Sequence, residues 1–158
     1  MKLLSAIAVV SFALDQISKY LVIHVLGVSA SYQIDVLPPL LRFRYGENRG
    51  INFGLFGDGA SVWLLILVAL AICLGVLYWL WRYPQPRLAQ ASAGLLIGGA
   101  LANVFDRLIY GYVLDFLNMS CCGIENPFVF NVADIFIFAG ALGLVFFGHD
   151  PKASKKGT

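Results

Sequence analysis

The sequence predicts a mainly α membrane protein with four transmembrane helices and a small extracytoplasmic β-sheet element. Apolar residues make up 59% of the 158 residues and charged residues only 13%, whereas soluble domains carry about 25% charged residues. No charged residue lies between Asp58 and Arg82, or between Arg87 and Asp106. Each gap is long enough for a membrane-spanning helix, which needs about 20 mostly apolar residues. The length favours one integral membrane domain covering residues 1–158.

Four apolar segments define the predicted spans, at about residues 3–26, 61–81, 88–107 and 128–148. A cleaved signal peptide is the alternative for the first segment, but apolar residues resume after Lys19 and favour a full span. The fourth span requires polar residues, Asn131 and Asp134, at its start.

Small residues recur at intervals of four in the third span, at Gly94, Gly98 and Ala102. Such a stripe lets a neighbouring helix approach closely. Packing alone is enough to explain it, so the stripe predicts a helix–helix contact and no chemistry.

The β element is predicted at about residues 30–58, which are rich in glycine and polar side chains. Tyr32–Val36 and Leu41–Tyr45 alternate with the period of strands. Pro38-Pro39 between them predicts a turn. Because two strands alone are marginally stable in water, we expect the element to rest on the ends of the spans.

Basic residues predict the orientation. In a four-span topology one side of the membrane carries Lys2, Arg82, Arg87, Lys152, Lys155 and Lys156. The positive-inside rule makes that side, with both termini, cytoplasmic. Residues Leu108–Val129 contain no Lys or Arg, which supports this orientation, although three arginines of the β element lie on the opposite side. The net charge of +2 is too small to indicate a nucleic-acid partner.

Polar residues of this apolar chain converge on one level, the outer third of the bilayer. Ionisable residues within a membrane indicate function by default. Two carboxyl groups are sufficient for peptide hydrolysis. When they are held close together they lose their protons at different pH values, so one is ionised and takes a proton from water. The other keeps its proton and supports the oxygen of the peptide carbonyl group. Asp115 and Asp134 are the candidate pair, and their division of roles stays open.

Each polar residue also has a structural interpretation. Asn131 would cap the fourth helix with Asp134 at its third position, favoured by the helix dipole, and Asp115 would be a solvated loop residue. Asp106-Arg107 is interpreted as a structural ion pair or a terminal charge anchor. Asp15 and Lys19, four residues apart on one helix face, are interpreted as a packing pair.

The sequence contains few residues that could support other kinds of catalysis. The only two histidines, His24 and His149, fall at opposite ends of the predicted spans, which excludes a histidine-based triad or zinc site. Cys121 and Cys122 are adjacent in the predicted outer loop, and no role is assigned to them.

Five short segments, in chain order, match the motifs of a known family. They are Asp15-Gln16-Ile17-Ser18-Lys19, Asn48-Arg49-Gly50-Ile51-Asn52-Phe53-Gly54, the glycine-rich segment Gly98–Arg107, Val113-Leu114-Asp115-Phe116 and Phe130-Asn131-Val132-Ala133-Asp134. Together they resemble lipoprotein signal peptidase, signal peptidase II, over essentially the whole chain. Asn52 departs from the small apolar residue of many members.

The resemblance implies an aspartic endopeptidase of the bacterial inner membrane that cleaves diacylglyceryl-modified prolipoproteins before the lipidated cysteine. It implies an active site at the periplasmic face, a monomer among membrane lipids, inhibition by globomycin, and no metal or organic cofactor. The catalytic pair falls on Asp115 and Asp134. Substrate binding or support of the pair falls on Asp15, Lys19, Asn48, Gly50, Asn103, Arg107 and Asn131.

Two other classes of protein are weighed against a protease. A transporter or channel would need polar residues through the whole membrane thickness, and the second and fourth spans lack them in the inner half. A scaffold would tolerate substitution of both aspartates.

Overall fold

The computed structural model describes residues 1–50, 58–121 and 123–148, without the side chains of 58–61. Three sequence-based expectations lie outside these residues: the end of the Asn-x-Gly motif at Ile51–Gly54, Cys122, and the basic C-terminal tail with His149 before it.

The helices follow the apolar segments. Helix α1 covers Lys2–Lys19 and continues as a π-helical segment, Tyr20–Val25; α2 covers Asp58–Arg82, α3 Arg87–Tyr110 and α4 Val132–Phe147. In the described part of the chain, three helices are long and apolar enough to cross a membrane: Lys2–Val25, Val62–Arg82 and Arg87–Tyr110. Helix α4 has only 16 residues, so the four-span count stays a prediction.

The start of α4 differs from the predicted span. A span from about residue 128 was expected, but the helix begins at Val132 because Asn131 is extended, with φ −131°, and caps it. The preceding Phe130 is hydrogen-bonded to Leu117, which draws this segment away from a helical path.

Helix α3 lies at the centre, packed against each of the other helices. A Cβ atom added to Gly98 would lie 2.4 Å from the Ala8 carbonyl oxygen of α1, and one added to Gly99 would lie 2.5 Å from the Ala133 carbonyl oxygen of α4. The small residues therefore let the backbones approach closely, as the stripe in the sequence predicts.

The β element is a three-stranded antiparallel sheet in the order β1-β2-β3, made of Ile34–Leu37, Leu41–Asn48 and Val113–Met119. The third strand was not predicted. Most of its side chains are buried, so its sequence reads as a nearly continuous apolar run instead of an alternating one. Gly46 of β2 pairs with Asp115 of β3.

The interpretation of Asp115 as a solvated loop residue is wrong. Its side chain lies on β3 and is 1% exposed. The strand is covered because Phe130 exchanges hydrogen bonds with Leu117 along its other edge, and Phe116 packs edge-on against Phe43.

We predict that Gly98→Ala lowers the stability of the protein in detergent by about 1–3 kcal/mol, the usual cost of overpacking. The added methyl group must push α1 away from α3. Gly75→Ala is the matched control, because nothing lies within 4 Å of a Cβ atom at that position of α2. Thermal unfolding measures both variants, and an unchanged midpoint for Gly98→Ala would contradict the close-packing account.

Candidate active site

Asp134 is fixed at the start of α4 by a capping box. The Asn131 side-chain oxygen accepts the backbone N–H of Asp134 at 2.9 Å, and the Asp134 Oδ2 atom accepts the backbone N–H of Asn131 at 3.2 Å. These bonds satisfy donors that a helix start leaves unpaired. The half-buried Asp134 carboxylate also lies where the helix dipole favours negative charge.

Asp115 is held in a much drier setting, on the buried strand β3. Burial raises the pKa of its carboxyl from 3.8 to about 7, and the nearby negative charge of Asp134 acts in the same direction. Hydrogen bonds from Asn131 and Asn48 oppose this rise because they favour the carboxylate. Asp115 therefore holds its proton near neutral pH far more readily than an ordinary aspartic acid.

Asn131 connects the two aspartates. Its side-chain nitrogen donates to the Asp115 Oδ1 atom at 2.6 Å, while its side-chain oxygen and backbone N–H bind Asp134. The same nitrogen donates to the Asn103 side-chain oxygen at 3.2 Å. Asn131 is fully buried and binds both carboxyl groups, that of Asp115 through its side chain and that of Asp134 through its backbone N–H.

Helix α3 contributes Asn103 and Arg107. The Asn103 side-chain nitrogen donates to the Asp134 Oδ1 atom at 2.9 Å. Arg107, one turn later, donates to the Asn103 carbonyl oxygen at 3.2 Å, and its positive charge acts on Asp134, Asp106 and Asp115. The guanidinium group therefore supplies the cation that faces the pair of acids.

Asn48, the last residue of strand β2, also contacts Asp115. The Asn48 side-chain oxygen accepts the backbone N–H of Gly50 at 3.1 Å, which leaves the side-chain nitrogen to donate to Asp115. Gly50 has φ +86°, a conformation that glycine adopts without strain. A Cβ atom there would also lie 2.3 Å from Leu65 of α2. The Asn-x-Gly spacing therefore forms one local turn.

Asp15 and Lys19 do not hydrogen-bond to Asp115 or Asp134. They form an ion pair on one face of α1, with 2.7 Å between the Lys19 Nζ and Asp15 Oδ2 atoms. The Lys19 ammonium group also binds the Asp106 Oδ2 atom at 2.6 Å. Asp15 and Asp106 are 0% exposed and Lys19 is 3% exposed. We call these three residues the Asp15–Lys19–Asp106 cluster, which is distinct from the pair Asp115 and Asp134.

The interpretation of Asp106 as the ion-pair partner of Arg107 is therefore wrong. Asp106 pairs with Lys19 of α1, because neighbouring residues on a helix point in different directions. Gln16 was also missed, although its side-chain nitrogen donates to Asp106 at 2.9 Å and to Asp15 at 3.2 Å. The sequence did contain a signal for the role of Asp106, because this residue follows the candidate site residue Asn103 by one helical turn.

The arrangement brings together two acids, three amide side chains and one guanidinium group. Among the residues that the structure describes, no three His, Cys, Asp or Glu side chains are grouped as metal ligands. Two carboxyl groups in unequal environments are able to divide the roles of acid and base between them in catalysis with water.

Comparisons of the sequence with known proteins identify a family. The family model described as Signal peptidase (SPase) II matches residues 7–148. The lipoprotein signal peptidase of Clostridium novyi (strain NT) is 35% identical over 142 residues, 89% of this chain and 93% of that one. That of Alteromonas mediterranea is 34% identical over 158 residues, covering 96% and 85%.

Solved structures with a similar fold are also known. A structure described as a bacterial membrane enzyme, solved in meso at 1.9 Å resolution, superposes with a TM-score of 0.77 and 26% identity, covering 89% of this chain and 88% of its own. A second, at 2.3 Å resolution, gives a TM-score of 0.74 with the same identity. Sequence and fold together show that this chain is a membrane protein that belongs to the signal peptidase II family.

Proposed function

We propose that this chain is an intramembrane aspartic endopeptidase that removes the signal peptide from diacylglyceryl-modified prolipoproteins, cutting before the lipidated cysteine. Asp115 and Asp134 are its catalytic dyad. The observation that carries the proposal is that one residue, Asn131, binds both carboxyl groups: its side-chain nitrogen donates to Asp115 and its backbone N–H donates to Asp134. The names of the relatives, lipoprotein signal peptidases, supply the substrate class.

The two acids have different roles. Asp134 lies at the start of α4, where the helix dipole and the N–H groups of Asn103 and Asn131 stabilise its charge, so it takes the proton from the attacking water. Asp115 keeps its proton because burial raises its pKa to about 7, and it donates to the oxygen of the scissile carbonyl. Arg107 faces the charge that develops on the pair.

The remaining candidates hold the dyad and the peptide. Asn103 and Asn131 orient the carboxyl groups, while Asn48 and Gly50 bring strand β2 against Asp115. Substrate acyl chains would stay in the bilayer beside α2, which exposes much of its apolar surface.

The site lies at the sheet end of the helices, between α3, β3 and α4. We propose that this end faces the periplasm of a bacterium and that both termini face the cytoplasm, as the basic residues at the opposite ends favour. We propose that the protein acts as a monomer in the inner membrane, because a single chain supplies both acids and the amide groups that bind them.

We predict that Asp115→Asn and Asp134→Asn each lower kcat for a lipidated precursor by about 10²–10⁴-fold, the usual worth of a positioned acid or base. An amide has the same shape but neither accepts nor donates the proton. Asp35→Asn is the control, because Asp35 lies on β1 in an exposed pair with Arg42. Cleavage of a purified precursor measures the rates, and full activity in either dyad variant would remove that residue from the mechanism.

We predict that kcat/KM falls as the pH rises above about 7, the pKa of Asp115, since the proton donor is then lost. In Asn48→Ala the decline moves to higher pH, because the hydrogen bond that favours the Asp115 carboxylate is gone. Gln33→Ala, on an exposed residue of the same β element, is the control. A decline at unchanged or lower pH in Asn48→Ala would contradict this assignment of the proton.

We predict that a membrane-impermeant maleimide labels Ser31→Cys in intact spheroplasts and labels Tyr83→Cys only after lysis. Both positions are exposed and lie at opposite ends of the helices. The unsubstituted protein is the control for labelling of native cysteines, of which Cys73 is buried and Cys121 is disulfide-bonded. The reverse labelling pattern would invert the proposed orientation.

A further inference from the structure

Each carboxylate of the Asp15–Lys19–Asp106 cluster binds a backbone N–H on another element. The Asp15 Oδ1 atom accepts the N–H of Ala133 in α4 at 2.8 Å, and the Asp106 Oδ2 atom accepts the N–H of Leu114 in β3 at 3.1 Å. Ala133 directly precedes Asp134, and Leu114 directly precedes Asp115. The cluster therefore reaches both acids of the dyad through the residue immediately before each one.

We propose that this cluster is a positioning device for the dyad. Lys19 binds two buried carboxylates at once and offsets their repulsion, so that they stay close together. These carboxylates hold the two backbone segments from which Asp115 and Asp134 project. One ammonium group on α1 thus helps to set the relative position of the dyad, together with the direct bonds from Asn131. This inference rests on the proposed function and adds Asp106 to the residues that serve the reaction.

Lys19 is a positioning residue and not a catalytic one. Its ammonium group lies 2.7 Å and 2.6 Å from carboxylate oxygens, and its side chain is 3% exposed. It also borders a cavity of about 190 Å³ between α1, α3 and β3. The two carboxylates take two of the three ammonium hydrogens, so the group is engaged mainly in the ion pairs.

Removing the lysine alone would leave two buried carboxylates facing each other. A buried charge without a partner is strongly unfavourable, so the acids would separate or share a proton. Either change weakens the hydrogen bond to Leu114 or to Ala133. A displacement of reacting groups by about 1 Å costs about 100-fold in rate.

The test uses Lys19→Met and the double variant Lys19→Met/Asp106→Asn. The native cluster of two carboxylates and one ammonium carries a single net negative charge, and so does the double variant, which keeps the Asp15 carboxylate alone. The double variant also keeps an oxygen for each backbone N–H, because the amide introduced at position 106 would still accept from Leu114. Lys19→Met/Asp106→Leu is the matched control, with the same charge and similar shape but no acceptor.

We expect Lys19→Met to lower kcat about 100-fold with KM changed less than about threefold, and the Asn double variant to recover about tenfold of the loss. The Leu double variant should stay as slow as Lys19→Met. Thermal unfolding in detergent reports whether each protein is folded. If Lys19→Met does not fold, the comparison of the two charge-matched double variants decides the question.

Two results would overturn the proposal: native kcat in Lys19→Met, or equal kcat in the Asn and Leu double variants. A loss confined to KM would likewise assign Lys19 to substrate binding in the adjacent cavity. These failures differ from failure of the proposed function, which would appear as cleavage by Asp115→Asn or Asp134→Asn.

Discussion

The site depends on the bonds that Asn131 makes with two aspartates at once. Its amide has one acceptor and two donor hydrogens, and the acceptor is occupied by the Asp134 N–H while the nitrogen donates to Asp115. A shorter or longer side chain, or a carboxylate, could not make the same bonds. Two acids that would repel each other when ionised are therefore joined through a neutral group, and that group fixes their separation.

The first turn of α4 explains why the surrounding helices are arranged as they are. A helix start leaves four N–H groups without partners, and two of them are bound by side chains: Ala133 N–H by Asp15, and Asp134 N–H by Asn131. Asp15 reaches this turn because α1 and α4 both lie against α3, where Gly98 and Gly99 permit backbone contact on two sides. Small residues within α3 thereby help to place the side chain that binds the first turn of α4.

The sequence predicts the candidate site residues better than it predicts the elements and ion pairs around them. Helix spans, the sheet position and the Asp115–Asp134 pair follow from apolar runs, alternation and motif order. Strand β3 was missed because its run of buried side chains lacks alternation. Asp106 was misassigned because its partner, Lys19, lies 87 residues away in the chain, and no local periodicity encodes that contact. Patterns report which face of an element is buried, but not which distant residue meets it.

The elevated pKa of Asp115 also has a consequence for stability. The unfolded chain releases this proton near pH 3.8, whereas the folded protein holds it up to about pH 7. Between these values the folded state binds more protons, so the free energy of unfolding decreases as the pH rises through this range. Burying the acid thus destabilises the fold at alkaline pH, and the hydrogen bonds from Asn131 and Asn48 limit that cost. The buried Asp115 is nevertheless held in place, because neighbouring amide side chains bind its carboxyl group and Asp106 binds the backbone N–H of Leu114, the residue before it.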